Sequence, residues 1–232
     1  MGAQHEWVVR AGRLNLPFGL RIPEHFMWVR DSTRTDRDSD QQHGVAIAYG
    51  GQSVRGEVMG IAGNYQVNPD RYRERGYSGY AELSVTPGAT VGLSSLVTVA
   101  QADRVSLEQS ATTRGAHGAF TRLVLAEPLV LLAEADTLHT SRRKLGYVGM
   151  VQADYELTQG LHLIGSGEIL DTGYREPASN VDVPKVAGVG KPRFGGWVSL
   201  DWFFLPQLEL RVDLLGRQDS GGAALAQLHA YL

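Results

Sequence analysis

Acidic side chains and arginines recur at every second position in several segments of the chain. The stretch QLELRVDLLGR, residues 207–217, alternates them with aliphatic residues, so that a strand carries Glu209, Arg211 and Asp213 on one face. Other segments with the same alternation add to this polar face Arg55, Glu57, Glu82, Arg122, Glu134, Asp154, Glu156, Glu168 and Asp201. Carboxylates predominate in the set, and rings of carboxylates around a water-filled passage favour cations and polar neutral solutes. The alternative is a paired charge network that fills a narrow interior and stiffens its wall.

Motifs for catalysis and metal binding are sparse. The seven histidines show no His-x-x-x-His spacing for zinc, and DRDSD at 36–40 lacks the spacing and the glycine of an EF-hand calcium loop. Asp136, His139 and Ser141 are the nearest candidate for a hydrolytic triad, but neighbours on one strand seldom converge in that way. We therefore expect no enzymatic activity, no metal and no cofactor.

The elements that position the charged side chains are predicted to be strands. Period-two alternation bounded by turn residues predicts about twelve of them, and helix signals are scarce. The predicted strands are 6–14, 43–50, 53–62, 77–86, 89–101, 117–126, 129–138, 145–157, 160–170, 194–204, 207–217 and 222–232.

The connections between these strands alternate in length. Short connections such as TPGA, EP, TQG and LP alternate with long ones at 15–42, 63–76, 102–116 and 171–193. At the end where the long connections lie, two connections are short, one near Thr140 and one near Gly221. Hairpins with tight turns at one end and long polar loops at the other are typical of outer-membrane barrels. An even number of strands places both chain ends on the short-turn side.

Two fold classes differ in what the aliphatic face of each strand contacts. In a soluble β-sandwich, Leu208, Leu210 and Val212 would face a core, whereas in a membrane barrel they would face lipid. Aromatic residues near strand ends suit a girdle at the membrane interface, namely Tyr77, Tyr80, Tyr147, Tyr155, Trp202, Phe204 and Tyr231. Aromatic residues also favour strands in general. No run of about 18 apolar residues predicts a helical membrane span.

Composition sets the remaining bounds. The 232 residues predict a single domain over 1–232, and the absence of cysteine excludes disulfides and thiolate chemistry. A net charge of -3 and a pI near 6.2 provide no basic field, so nucleic acid is not an expected partner. The first residues, MGAQHEW, do not form a secretory signal, so we expect either a removed signal or a start partway through a longer product.

The first long connection mixes apolar and charged residues densely. Its large apolar side chains would be costly in an exposed loop, so we expect part of it to pack inward as a constriction or against a neighbouring subunit. The residues assigned to this constriction are Phe18, Arg21, Phe26, Trp28 and Arg30.

The segment RAGRLNLPFGLR, Arg10 to Arg21, resembles a stretch of Gram-negative porins of the phosphate-selective type and of related uncharacterised barrels. The resemblance implies an outer-membrane channel in which this strand leads into a loop that folds toward the lumen. Members of that family are longer, which is compatible with a chain that lacks an N-terminal portion. The three lysines, Lys144, Lys185 and Lys191, lie in predicted loops or at a strand edge, so phosphate selectivity is not carried over.

The sequence thus predicts an all-β fold, an antiparallel transmembrane β-barrel of about twelve strands with short periplasmic turns and long extracellular loops. It would be located in the bacterial outer membrane and act as a porin-like channel for passive diffusion of small polar or cationic solutes. Membrane lipid and lipopolysaccharide are the expected surroundings. The sequence leaves open whether the chain forms a homo-oligomer. The alternative function is a non-conducting structural or surface-binding barrel with a charge-filled lumen.

Overall fold

The computed structural model describes residues 6–22, 27–37, 39–102, 110–141, 145–173, 191–218 and 221–231. Its strands form one antiparallel sheet in which each strand pairs with the next along the chain. The strands are β1 (Trp7–Leu14), β2 (Gln42–Gly50), β3 (Val54–Gly63), β4 (Arg75–Thr86), β5 (Ala89–Ala100), β6 (Thr112–Ala126), β7 (Leu129–Thr140), β8 (Gly146–Thr158), β9 (Leu161–Asp171), β10 (Arg193–Leu205), β11 (Leu208–Arg217) and β12 (Gly221–Ala230). The predicted all-β fold of twelve antiparallel strands is confirmed.

In the part of the chain that the structure describes, helical structure lies in the connections. Helix α1 (Trp28–Thr33) lies between β1 and β2, and a 3-10 turn (Asp70–Tyr72) precedes β4. Helix α1 is not predicted by the residue pattern, because six residues are too few to show helical periodicity. In the described ranges, no helix has the length and apolar character needed to cross a membrane.

Tight turns and long connections lie at opposite ends of the sheet, as the alternation of lengths predicted. We call these ends the turn side and the loop side; β1 begins and β12 ends on the turn side. The pairing shifts register one step before four of the tight turns, at Ser84/Thr86, Val124/Ala126, Glu156/Thr158 and Phe203/Leu205. Such bulges increase the local twist of the strands that enter a hairpin.

The two faces of the sheet differ in chemistry. Large aliphatic side chains on the outer face, such as those of Val58, Leu93, Val198, Leu200 and Leu214, are 42% to 67% exposed. The alternate positions point to the inner face, where many polar and charged side chains are buried. All twelve polar-face residues predicted from the alternation follow the inner parity of their strands.

The inner face curves around a segment of the β1–β2 connection. Within this one connection, the carbonyl of Pro17 accepts a hydrogen bond from Ser78 of β4, and the N–H of Trp28 donates to Glu168 of β9. Strands five positions apart in the sheet therefore reach a common interior segment, so the sheet is curled. Strands β1 and β12 form its two edges.

The aromatic girdle needs two corrections. Tyr77, Tyr147 and Trp202 have the outer parity and are exposed. Tyr80 has the inner parity instead, and its hydroxyl accepts a 3.5 Å hydrogen bond from Arg21. Tyr231 continues the inner parity of β12, and its hydroxyl donates to Glu209 on the inner face of β11. The predictions for Tyr80 and Tyr231 were wrong because proximity to a strand end does not determine which face a side chain takes.

Candidate functional site

The interior of the curled sheet holds residues 15–22 and 27–36, which we call the inner segment. Residues 16–20 and 27–30 of this segment are buried. Its side chains and backbone make contacts with the inner face from β2 to β11. Among the described residues, the inner segment is therefore the part of the chain that fills the interior of the sheet.

One apolar cluster fixes the first part of the inner segment. Leu16 and Phe18 pack against inner-face side chains of β2, β3, β5 and β6, namely Ala46, Met59, Ile61, Leu96 and Ala116. Phe18, Met59 and Leu96 are among the largest fully buried side chains. Burying side chains of this size stabilises the docked segment by about 1.5–3 kcal/mol each.

A second apolar cluster fixes α1. Met27, Trp28 and Val29 pack against Val148 and Met150 of β8, Leu170 of β9 and Trp197 of β10. These inner-face residues all lie within five positions of the loop-side end of their strands. Helix α1 therefore sits below the loop-side rim, inside the curled sheet.

A buried ion pair joins the two parts of the inner segment to β7. The guanidinium of Arg30 pairs with the carboxylate of Glu134 and also donates to the Phe18 carbonyl at 3.3 Å and to Thr35 Oγ1 at 3.1 Å. The N–H of Leu20 donates to the same carboxylate at 2.8 Å. Gly19 has φ +54, and a Cβ at this position would lie 1.9 Å from Glu134 Oε1. A side chain at Gly19 would thus displace the carboxylate that anchors the segment.

A second carboxylate, two strands further along the sheet, anchors α1. Glu168 of β9 accepts the Trp28 N–H at 2.6 Å and pairs with Arg217 of β11 at 3.1 Å. The ring of Trp28 lies 4.9 Å from the Arg217 guanidinium carbon and 5.3 Å from that of Arg193. The guanidinium groups of Arg193 and Arg217 lie over the Trp28 indole, and Glu168 binds the backbone N–H of the same residue. Together these contacts hold the beginning of α1 in place.

A third anchor lies on the loop side, outside the strands. Glu74 precedes β4 and pairs with Arg114 of β6 at 2.5 Å and with Arg34 of the inner segment at 2.6 Å. Thr98 of β5 donates to it at 3.1 Å. Burial opposes ionisation of Glu74, but Arg114 and Arg34 together lower its pKa from 4.5 to about 2. The carboxylate is therefore ionised at all ordinary pH values and ties the inner segment to β6.

Two arginine–glutamate–arginine groups line one wall of the interior, across β1, β3, β4 and β6. Glu57 pairs with Arg10 and with Arg21, and Glu82 pairs with Arg55 at 2.5 Å and with Arg122 at 2.8 Å. The four arginine side chains are 40% to 50% exposed, whereas the Glu57 and Glu82 side chains are 2% and 8% exposed. Water in the interior thus meets guanidinium groups on this wall, with the carboxylates behind them.

The opposite wall carries acids and histidines near the turn side. His162 of β9 lies 2.9 Å from Asp154 of β8, and Asp201 of β10 is half-buried beside them. Glu156 accepts the Gly160 N–H at 3.1 Å and therefore caps the β8–β9 turn. On β11, Glu209 contacts His229 and Tyr231, while Arg211 donates to the fully buried Asp213 at 3.0 Å.

The residues assigned to a constriction fall in three places. Phe18, Trp28 and Arg30 are buried in the interior. Arg21 is exposed toward Glu57 and Tyr80, with its guanidinium carbon 5.4 Å from the Tyr80 ring. Phe26 lies outside the described residues. Their effect on passage through the interior stays a prediction.

The residues considered for a hydrolytic triad do not converge. Asp136 points inward and is buried, whereas His139 follows the outer parity of β7 and is exposed. Ser141 Oγ accepts the Thr113 N–H at 3.1 Å. Within the described ranges, no group of three or more histidine, cysteine or carboxylate side chains could hold a metal ion.

Several residues that fix the inner segment were missed at the sequence level. Glu74, Arg114 and Ser78 make polar contacts to it, and Met59 and Trp197 pack against it. A signal existed for the apolar ones: in VMGIAG, residues 58–63, apolar residues occupy both parities of β3. A strand that is apolar on both faces indicates that the interior is occupied there.

Comparisons with known proteins add little to this geometry. No protein-family model matches the chain, and no curated protein matches it. Among solved structures, the chain is similar to a mutant of the ferric enterobactin receptor PfeA from Pseudomonas aeruginosa, with a TM-score of 0.44 and 11% sequence identity. The match covers 83% of this chain and 39% of the receptor chain.

Proposed function

We propose that this chain is a porin-like barrel of the bacterial outer membrane, through which small polar solutes diffuse past the inner segment. The observation that carries the proposal is the combination of an exposed aliphatic outer face with a polar interior that one segment of the chain partly fills. Exposed apolar surface on this scale is unfavourable in water and favourable against acyl chains. Membrane lipid and lipopolysaccharide are therefore the proposed surroundings, with the turn side in the periplasm.

The proposal requires the sheet edges to be paired. In a bilayer, each unpaired backbone N–H or C=O group on β1 and β12 would raise the free energy of the protein by several kcal/mol. An open sheet therefore does not persist there. With twelve strands in sequence order, β1 and β12 run antiparallel to each other. Pairing of these two strands would close the barrel.

The exposed charges support a weaker ion preference than the count of acids suggests. Among the polar-face residues predicted from the sequence, carboxylates outnumber arginines, and this excess would favour cations. Glu57 and Glu82 are covered by arginines, and Glu134, Glu168 and Asp213 are fully buried. Among the described strand and inner-segment residues, the more accessible charges include four arginines on one wall and Asp154, Glu156 and Asp201 on the other. We therefore propose small polar solutes as the substrate class, with little discrimination between anions and cations.

The proposal includes neither catalysis, nor a cofactor, nor nucleic acid as a partner. Asp136 and His139, the two residues that came nearest to a catalytic pair, point to opposite faces of β7. Homo-oligomerisation is compatible with the exposed outer face.

Planar-bilayer recording tests the proposal. Purified protein in a bilayer should give stepwise conductance, and in a tenfold salt gradient its reversal potential should stay well below the about 59 mV of an ideally selective channel. Arg55→Ala with Arg122→Ala uncovers Glu82 and should move the reversal potential toward cation preference. Arg71→Ala, an exposed arginine on the loop side, is the control. Strong cation selectivity in the unaltered protein would contradict the accessibility argument.

A second candidate is a non-conducting structural or surface-binding barrel. The packing of the inner segment favours it, because Phe18, Met27 and Val29 are nearly or fully buried in the interior. Absence of conductance in the unaltered protein, with conductance appearing only when the inner segment is released, would support this candidate. A chain that is monodisperse without detergent would contradict both candidates.

A further inference from the structure

The outer face carries a groove of about 630 Å³ between β3 and β6. Gly79 and Ala81 of β4 form its floor, and Val58, Tyr77, Leu93 and His117 stand around it. The groove is shallow and open to the surroundings, and Gly79 lines it without a side chain; a Cβ there would lie 3.0 Å from the Glu57 carbonyl oxygen. It is continuous with the exposed aliphatic outer face.

The groove is polar at one end and apolar at the other. Tyr77 lies two positions from the loop-side end of β4, and Ser95 and His117 are directly paired on β5 and β6. On the turn side of these residues, Ala81 is paired with Leu93. The hydrogen-bonding end of the groove thus points to the loop side, and its apolar end points to the middle of the sheet.

The polar end is a row of hydroxyl and imidazole groups. Tyr77 Oη lies 3.0 Å from Ser95 Oγ, which lies 2.9 Å from His117 Nδ1. Thr137 Oγ1 donates to the His117 carbonyl at 3.0 Å. Four adjacent outer-face positions, on β4 to β7, therefore present hydroxyl and imidazole groups. Most other side chains of this face are aliphatic or small.

Among the described residues, the charged groups nearest the groove are paired. The Glu57 side chain faces the interior, where Arg10 and Arg21 bind it. Arg75, two positions before Tyr77, pairs with Asp70 at 2.7 Å. The groove therefore suits an uncharged oxygen at its polar end and a hydrocarbon chain along its length.

These features match the polarity of a lipid in the leaflet on the loop side, with its ester groups toward the loops and its chains toward the bilayer centre. We propose that the groove seats one acyl chain of such a lipid, with an ester or hydroxyl oxygen bound by Tyr77, Ser95 and His117. The inference rests on the membrane orientation proposed above, because only then does the outer face meet acyl chains.

Native mass spectrometry of the detergent-solubilised protein tests the seat with dioleoylphosphatidylglycerol as the probe. The unaltered protein should retain one lipid at a detergent concentration that removes the others. Ala81→Phe fills the floor and should lower retention by about tenfold or more, since two displaced methylene groups cost about 1.6 kcal/mol. Ala153→Phe is the matched control, because Ala153 is an outer-face alanine of β8, away from the groove.

Loss of the polar end should have a smaller effect. Ser95→Ala removes the central hydroxyl and should weaken retention by about two- to tenfold, as expected for one hydrogen bond. Equal retention in the unaltered protein, Ala81→Phe and Ala153→Phe would overturn the proposal. Disulfide-linked dimers of Ala81→Cys, formed in place of lipid retention, would also overturn it and identify a second copy as the occupant.

Failure of this inference is distinguishable from failure of the channel. A protein that conducts in bilayers but retains no lipid at the groove refutes only the lipid seat. A protein that neither requires detergent nor enters a bilayer refutes the membrane orientation, and the seat with it.

Discussion

Replacement of Arg30 by methionine tests whether the inner segment controls passage. The Arg30 side chain is 5% exposed and bridges Glu134, the Phe18 carbonyl and Thr35 Oγ1. Methionine keeps most of the apolar volume but leaves the Glu134 carboxylate buried, with the Leu20 N–H as its remaining donor from the inner segment. Breaking a buried ion pair by removing one partner costs about 3–5 kcal/mol.

The cost falls on the docked state of the inner segment, because the strand pairing of β7 does not depend on Arg30. At about 1.4 kcal/mol per factor of ten, the ratio of docked to released segment should fall by roughly two to four powers of ten. The Arg30→Met protein should therefore show larger conductance steps than the unaltered protein. Amide hydrogen exchange should rise in residues 16–22 and 27–36 and stay unchanged in β7.

Two further variants isolate the ion pair as the cause. Arg37→Met changes an exposed arginine of the same connection and should leave the conductance unchanged. Arg30→Met combined with Glu134→Gln removes the orphaned charge, keeps an acceptor for the Leu20 N–H and should restore part of the exchange protection. Conductance and exchange that are identical in Arg30→Met and the unaltered protein would refute the argument that this ion pair holds the segment.

Two other predictions concern the ion pairs of Glu74 and the pairing of the sheet edges. Despite burial, Arg114 and Arg34 hold the pKa of Glu74 at about 2, below its usual 4.5. Its stabilising contribution, about 3 kcal/mol, is therefore complete above pH 4.5 and declines as the pH falls toward 2. The protection factor of residues 27–36, which corrects the observed exchange rate for the intrinsic rate at each pH, should fall over that range, and Glu74→Gln should lower it already at neutral pH; a pH-independent protection factor would contradict the assignment. For closure of the sheet, Ala11→Cys combined in turn with Ala226→Cys, Leu228→Cys and Ala230→Cys should give one intramolecular disulfide, since the chain has no other cysteine; exclusively intermolecular disulfides would refute pairing of β1 with β12.

The strand pattern was predictable because it depends on local alternation. In β11, Glu209, Arg211 and Asp213 take one face, and Leu210 and Val212 take the other, since successive side chains of any strand point to opposite sides. Tight turns such as the one at Gly160, which has φ +76, are marked by residues that tolerate their backbone angles. The inward course of the first long connection was also predictable from its large apolar residues.

The partners of these side chains were not predictable, because they come from strands far apart in the sequence. Arg30 and Glu134 are 104 residues apart, and Trp28 and Glu168 are 140 residues apart. No local pattern encodes such pairs, since each depends on how far the sheet curls and on the depth that the inner segment reaches.

The sequence by itself determined the number of strands, the face that each side chain takes and the side on which the long connections lie, because all three follow from the geometry of a single strand and its turns. Only the tertiary structure decided which charges remain accessible. Glu57 and Glu82 count as acidic lumen residues along the chain, yet arginines from β1, β3, β6 and the inner segment cover them. Solvent access depends on neighbours in space, and curvature of the sheet brings those neighbours together.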